Sequence, residues 1–278
     1  MLDFTKKKDY LICIDSDGTV MDTMTVKHEK CFGPALLEAL DIQEHKEEIL
    51  NRWLEINLYE KTRGINRFQG FYDICLFMEE KYGMRFDGLK DFQTWVTSTK
   101  EFSVSSIQKY MEQAKDISLF EKALEWSKLV NEKIVGLPES KPFDGVKDVL
   151  EYAMMFADLI GVSSANREAV REEWTRLDLM KCFAFVGCQD VGNKASIISK
   201  AMEKGYSKNN TIMLGDAIGD YDAAKKNGIW FFPIIPRREV QSWEKFEKEG
   251  LVSLLSGKFD DDYQKKLLEE FHSALQAS

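Results

Sequence analysis

The hydrophobic pattern changes character twice along the chain. Residues 10–14, YLICI, form a short apolar run ending in an acidic, glycine-containing turn, which predicts a buried strand. From about 25 to 136 the pattern predicts helices alone. Segments 44–60 (EHKEEILNRWLEINLYE), 68–82 and 119–133 place apolar residues three and four apart among charges, the spacing of amphipathic helices. After the loop GLPESKPFDG the pattern alternates. Helices are expected over 145–156, 167–177, 194–203 and 219–226, and strands over 158–163, 183–186, 211–215 and 229–235. Two more helices are expected after Pro236, the last charged and amphipathic, with a packing role. Alternating helix and strand implies a parallel sheet covered on both faces. The first strand has no neighbour in sequence to pair with, and the alternating half offers it a sheet. The fold class is therefore α/β, with a core over 1–21 and 141–278 and an inserted all-α domain over 22–140.

Composition narrows the function classes. With 278 residues, 44% of them hydrophobic, the chain can build two cores and lies outside the range of disordered sequences. Asp plus Glu outnumber Lys plus Arg by 47 to 38, a net charge of -9, which disfavours nucleic acid and anionic membrane as partners. An anionic substrate would have to be met by local positive charge. Five scattered cysteines without a CxxC pair argue against a disulfide framework and a zinc site, so a reducing, cytoplasmic location is expected. The N-terminal MLDFTKKKDYLICI has too few apolar residues after its basic stretch for an export signal. The longest nearly apolar run, 153–162, contains Asp158 and falls far short of the roughly 18 residues that span a bilayer.

Four short segments carry candidate chemistry. DSDGT, residues 15–19, ends the first strand, at the edge where open parallel sheets present ligands. Period-two alternation lets Asp15 and Asp17 point the same way, although acidic residues before Gly are also ordinary turn chemistry and some glycosyltransferases hold a metal with DxD. GDAIGDYD, residues 215–222, follows another apolar strand and supplies Asp216, Asp220 and Asp222. Carboxylates brought together by neighbouring strands repel unless a cation lies between them, and all-oxygen ligation favours a hard ion such as magnesium. Helix capping would account for Asp220 but not for Asp216. Ser163, in LIGVSSAN, ends a strand where a hydroxyl and helix-opening amides can hold phosphate oxygens, or simply cap the helix. Lys194, in VGNKASIISKAMEKG, stands near a helix start, where the dipole disfavours a cation; most single lysines are solvated surface residues.

In order along the chain, these four pieces resemble the haloacid dehalogenase (HAD) superfamily, whose phosphohydrolases carry DxDGT, a strand-end Ser or Thr, a Lys, and GDxxxD. The resemblance is carried by 15–22, 143–166, Lys194 and 214–228, and the core that these motifs span makes up about half the chain. It implies a Rossmann-like core with the helical block as an inserted cap. It implies a magnesium-dependent phosphatase that hydrolyses a small phosphorylated metabolite through an aspartyl phosphate, as a monomer or homodimer. In that scheme Asp15 is the nucleophile and Asp17 the general acid and base. Asp15, the backbone carbonyl of Asp17 and Asp216 hold Mg2+, with Asp220 in support, while Ser163 binds phosphate oxygens and Lys194 neutralises charge. The presence of Asp17 argues against dehalogenation. A phosphomutase shares these motifs, and a non-catalytic binding or scaffold protein on the same fold is the alternative from another class.

Substrate contacts are expected from Ser164, beside Ser163, and from KTRGINRFQG, where Lys61, Arg63 and Arg67 surround a Gly break with Asn66 beside them. Such a cluster could meet an anionic group of the substrate. Arg63 and Lys61 could equally close the preceding helix, whose C-terminal dipole favours cations.

Overall fold

The computed structural model describes residues 2–99 and 101–275. The chain divides into two compact units, Met1–Met24 with Glu139–Ala277, and the inserted Thr25–Pro138. In the first unit β1 (Tyr10–Ile14), β2 (Ala157–Val162), β3 (Phe185–Gly187), β4 (Thr211–Gly215) and β5 (Trp230–Pro233) form one sheet. The order is β3-β2-β1-β4-β5 and every neighbouring pair is parallel. The strand that comes first in sequence is thus the central one. It has β2 on one edge, with Ile14 opposite Gly161, and β4 on the other, with Ile14 opposite Leu214.

The helices of the unit include α1 (Val146–Ala153), α2 (Arg167–Arg176), α3 (Lys194–Met202), α4 (Ile218–Asn227), α5 (Glu239–Lys245) and α6 (Asp261–Ala274). Alternate strand residues face opposite cores. Ile12, Ile14, Leu159 and Leu214 pack with Val146 and Leu150 of α1, Trp174 of α2 and Trp243 of α5. Leu11, Cys13, Ile160 and Met213 pack with Ile197 of α3, Ala224 of α4 and Phe271 of α6. Both faces are apolar, which is why these strands read as continuous hydrophobic runs. Asn side chains fix two helix starts. Asn166 accepts the amides of Glu168 and Ala169, and Asn193 accepts that of Ser196.

The sequence pattern and the observed elements differ mainly at boundaries. The helix expected over 145–156 starts after Gly145, whose φ of +79° suits glycine, and stops at Ala153. The strand expected over 183–186 begins later because Met180–Cys182 forms a 3-10 turn that buries Cys182 against the core. The strand expected over 229–235 shortens to β5 as the chain leaves the sheet, where the Ile235 amide donates to Ser242 Oγ at 3.0 Å. The C-terminal segment has a definite task. Gln264 of α6 accepts the Phe231 amide at 2.7 Å and donates to the Phe231 carbonyl at 2.9 Å, satisfying the outer edge of β5.

The inserted unit consists of Gly33–Ala39, Lys46–Leu54, Arg67–Tyr82, Leu89–Ser98, Val104–Met111 and Ser118–Val135, with short helical turns between. No strand occurs among its described residues. Its core is separate and aromatic, built on Trp53, Phe71, Phe92, Trp95, Phe120 and Trp126. All five cysteines are buried and free. Among the described residues no helix is long and apolar enough to cross a membrane.

Asp158, the one charged residue of β2, is buried with three donors on one carboxylate oxygen, Oδ2. Its carboxylate accepts the amides of Lys7 and Lys8 at 2.8 and 2.9 Å and the Tyr206 hydroxyl at 2.6 Å. Burial, and then this carboxylate, push the Tyr206 phenol up. Asp158→Ala would leave three donors without a partner, and each lost bond to a charged group is worth about 2 kcal/mol. The expected result is a stability loss of at least about 2 kcal/mol in urea unfolding, with Asp158→Asn losing less.

Candidate active site

Sheet order dictates which residues meet. Asp15 directly follows β1, and its amide donates to the Leu214 carbonyl at 3.0 Å, extending the ladder with β4 by one residue. Ser163 follows β2, and Asp216 follows Gly215 at the end of β4. Because β1 lies between β2 and β4, all three emerge at the carboxyl edge of the sheet, flanking the central strand. Asp15, Ser163 and Asp216 are all buried.

The turn after β1 is held by its own backbone. Gly18 adopts a φ of +81°, and the Ser16 carbonyl accepts the amides of Val20 and Met21, each at 2.9 Å. The Thr19 hydroxyl then crosses to β4 and donates to Asp216 Oδ1 at 2.8 Å. Asp17 is half-buried and its carboxylate accepts the Thr23 hydroxyl. Neither threonine stands out in the sequence as a functional candidate. Thr19 stands in the DSDGT motif, and a hydroxyl two residues beyond a carboxylate was the available signal.

Lys194 opens α3, and its Nζ lies 2.9 Å from Asp15 Oδ1 and 2.6 Å from Asp220 Oδ1. Its side chain is only 16% exposed. Asp220 is also a helix cap, since Oδ2 accepts the Ala217 amide at 3.1 Å while Oδ1 holds the lysine. Gly215 makes this geometry possible. A Cβ there would sit 2.3 Å from Asp220 Cγ.

One group among the described residues brings three potential metal-binding side chains together, namely Asp15, Asp216 and Asp220, each offering an oxygen within 4.8 Å of the others. Burial works against the Lys194 charge, but Asp15 and Asp220 outweigh it and hold its pKa above the usual lysine value. Burial raises the Asp15 pKa well above the carboxylate range; Lys194 opposes that rise, and the charges of Asp220 and Asp216 add to it. Asp220 is raised likewise, by burial first, with Lys194 pulling it down and Asp216 pushing it up. Three buried carboxylates against one lysine leave an excess of negative charge. An all-oxygen donor set of this kind fits a hard divalent cation such as Mg2+.

Other expected residues are placed differently. Asp222 is exposed, outside the carboxylate group, and the Asp17 carboxylate is likewise not part of it. Ser163 Oγ accepts the Ala165 amide at 3.1 Å, which orients the hydroxyl and leaves its proton to donate; Ser164 beside it is exposed. In the basic cluster of the inserted unit both arginines are engaged within that unit. Arg63 is buried and donates to the Leu58 carbonyl at 2.7 Å, and Asn66 caps a helix by accepting the Phe68 amide. Arg67 donates to Ser127 Oγ and Asn131 Oδ1 at 3.1 and 3.0 Å, with its guanidinium 5.2 Å from the Phe32 ring centre. Burial lowers the Arg67 pKa. Of the three cations only Lys61 is exposed, because a helix-end carbonyl takes Arg63 and side chains of the helix Ser118–Val135 take Arg67.

Comparison with known proteins bears on this arrangement. No curated protein sequence matches the chain. Among solved structures, the fold is similar to a haloacid dehalogenase-like family hydrolase from Streptococcus pneumoniae, with 13% identity, a TM-score of 0.51, and coverage of 84% of this chain and 90% of that one. It is also similar to a proposed phosphoglycolate phosphatase from Lactobacillus delbrueckii subsp. bulgaricus (16% identity, TM-score 0.53, 87% and 98% covered). A third similar structure is a haloacid dehalogenase-like family hydrolase from Xanthomonas campestris (13% identity, TM-score 0.50, 96% and 99% covered). These likenesses concern the fold. The family model for haloacid dehalogenase-like hydrolases matches residues 89–234, just over half of the chain and including Ser163, Lys194, Asp216 and Asp220. With that match and a parallel sheet whose central strand delivers Asp15 to the same residues, the chain belongs to the haloacid dehalogenase-like hydrolases.

Proposed function

We propose that this hydrolase is a magnesium-dependent phosphatase that cleaves a small phosphorylated metabolite through an aspartyl phosphate on Asp15. The observation that carries the reading is the Lys194 ammonium bridging Asp15 and Asp220, with Asp216 alongside, at the carboxyl edge of the central strand. A buried nucleophilic carboxylate must be kept ionised, and Lys194 favours that state where burial opposes it. Mg2+, held by Asp15, Asp216 and the backbone carbonyl of Asp17, would supply the positive charge that lets an anionic nucleophile meet an anionic phosphate.

In the first step an Asp15 oxygen attacks phosphorus, and the bond from phosphorus to the ester oxygen breaks as the leaving alkoxide takes a proton from the Asp17 carboxyl group. In the second, the Asp17 carboxylate takes a proton from water. That water's oxygen bonds to phosphorus, the acyl phosphate bond breaks, and inorganic phosphate leaves with Asp15 restored. The hydrogen bond from Thr23 fixes the Asp17 carboxylate through both transfers. The Ser163 hydroxyl donates to a phosphate oxygen, and Lys194 offsets charge on nucleophile and phosphate together. Thr19 and Asp220 act through others: Thr19 aims Asp216, and Asp220 aims Lys194. Arg63 and Arg67 serve the inserted unit's own packing in this reading.

Three outcomes are expected. The wild type hydrolyses p-nitrophenyl phosphate with magnesium, stops in EDTA and recovers when magnesium returns; activity untouched by chelation would remove the metal from the reading. Asp15→Asn retains its fold by circular dichroism and loses nearly all turnover, whereas retention of more than about a tenth of the rate, a barrier difference of about 1.4 kcal/mol, would rule out Asp15 as nucleophile. Lys194→Met lowers kcat by about a hundredfold or more, the scale for losing a fixed electrostatic partner. If only its melting temperature fell, Lys194 would be a structural residue.

A further inference from the structure

The C-terminal segment reaches the same turn from outside the four motifs. Trp243 of α5 is 1% exposed, and its Nε1 donates to the Thr19 carbonyl at 2.8 Å. The same residue, Thr19, donates through its hydroxyl to Asp216 Oδ1 at 2.8 Å. Trp243 thus grips one end of a residue whose other end grips a carboxylate of the buried trio.

The grip is itself anchored. Ser242, the preceding residue, accepts the Ile235 amide at 3.0 Å and donates to the Arg238 carbonyl at 2.7 Å, tying α5 to the chain leaving β5. The Trp243 ring packs edge-on to Phe246 with centres 6.0 Å apart, and Phe246 packs against Phe232 of β5 at 5.2 Å. It shares a core with Val20 and Met21, the residues after Thr19. A wholly apolar residue would serve that packing as well. A buried indole N–H aimed at one carbonyl has directional content that packing alone does not need.

We infer that Trp243 is a positioning residue: it fixes the Thr19 peptide so that the Thr19 hydroxyl holds Asp216 in place to receive the metal ion. The inference rests on the reading of the carboxylate trio as a Mg2+ site. Without the indole donor, the Thr19 peptide keeps only the Val20 amide's bond to the Ser16 carbonyl, the Thr19 hydroxyl aims Asp216 less firmly, and Mg2+ binds more weakly. Outer residues that orient metal ligands typically change metal affinity by about tenfold or more.

The test compares Trp243→Phe with Trp174→Phe. Trp174 is an equally buried tryptophan of the same unit, packed beside Gly161, and its indole nitrogen has no hydrogen-bond partner. Both variants lose core volume, so both should melt at lower temperature. Only Trp243→Phe should weaken binding of Mg2+ alone in calorimetric titration, by about tenfold. It should also lower kcat on p-nitrophenyl phosphate at fixed magnesium, with KM nearly unchanged and the rate partly restored by excess Mg2+. In 5-fluorotryptophan-labelled wild type, adding Mg2+ should shift the Trp243 fluorine resonance and leave that of Trp174 in place. The Trp243 line is assigned by its absence from the Trp243→Phe spectrum or, should that variant fail to fold, by exclusion using the other five tryptophans. If Trp243→Phe binds Mg2+ as the wild type does, or if the Trp243 line ignores Mg2+ in a protein that binds it, the positioning role is overturned and the phosphatase reading stands. A wild type that takes up no Mg2+ overturns both.

Discussion

Three carboxylates crowded around one buried lysine impose the constraint that the rest of the first unit answers. Removing an ion from water costs on the order of several kcal/mol even after relaxation, and Asp15, Asp216 and Asp220 are all buried within reach of one another. Lys194 bridges two of them. The third is held by the Thr19 hydroxyl, and the second oxygen of Asp220 by a backbone amide. A cluster this unfavourable persists only where the surrounding backbone fixes every partner. Parallel strands supply that rigidity, because their carboxyl ends share one edge and their ladders continue into the first residue beyond, as the Asp15 amide shows.

Much of the fold can be understood as support for that edge. β1 is central, so the residue that follows it is flanked on both sides, by Ser163 beyond β2 and by Asp216 beyond β4. Glycines are placed where a side chain would collide with the cluster, as at Gly215 beside Asp220, or where the chain must turn sharply, as at Gly18. The C-terminal helices, which carry none of the motif residues, still serve the sheet and the turn. Gln264 satisfies the edge of β5 and Trp243 reaches the carbonyl of Thr19.

The inserted unit follows a different economy. It has its own aromatic core, and Arg63 and Arg67 are engaged by acceptors within the unit itself. Arg63 on the Leu58 carbonyl and Asn66 on the Phe68 amide are helix-terminus interactions. Arg67 bridges two helices of the unit through Ser127 and Asn131. The placing of Lys61, Arg63 and Arg67 around a Gly break left a substrate-facing role and a helix-end role both open, and in the folded unit nearby carbonyl and side-chain acceptors engage both guanidinium groups.

By itself the sequence determined the layer architecture, the alternation of helix and strand, and the positions of Asp15, Ser163, Lys194, Asp216 and Asp220, because apolar periodicity and strand-end motifs are local signals. It placed β4 at its observed bounds and most other elements within a few residues; the misses lie at ends such as 154–156 and 183–184, where side-chain packing and turn geometry decide. It could not say that Asp220 both caps α4 and holds Lys194, that Thr19 reaches Asp216, or that Trp243 reaches Thr19. Apart from the local cap, those bonds join residues from 26 to 224 positions apart. Periodicity carries no information about such pairs. Only the folded sheet, which fixes strand order and hence which ends meet, decides which donors find which acceptors.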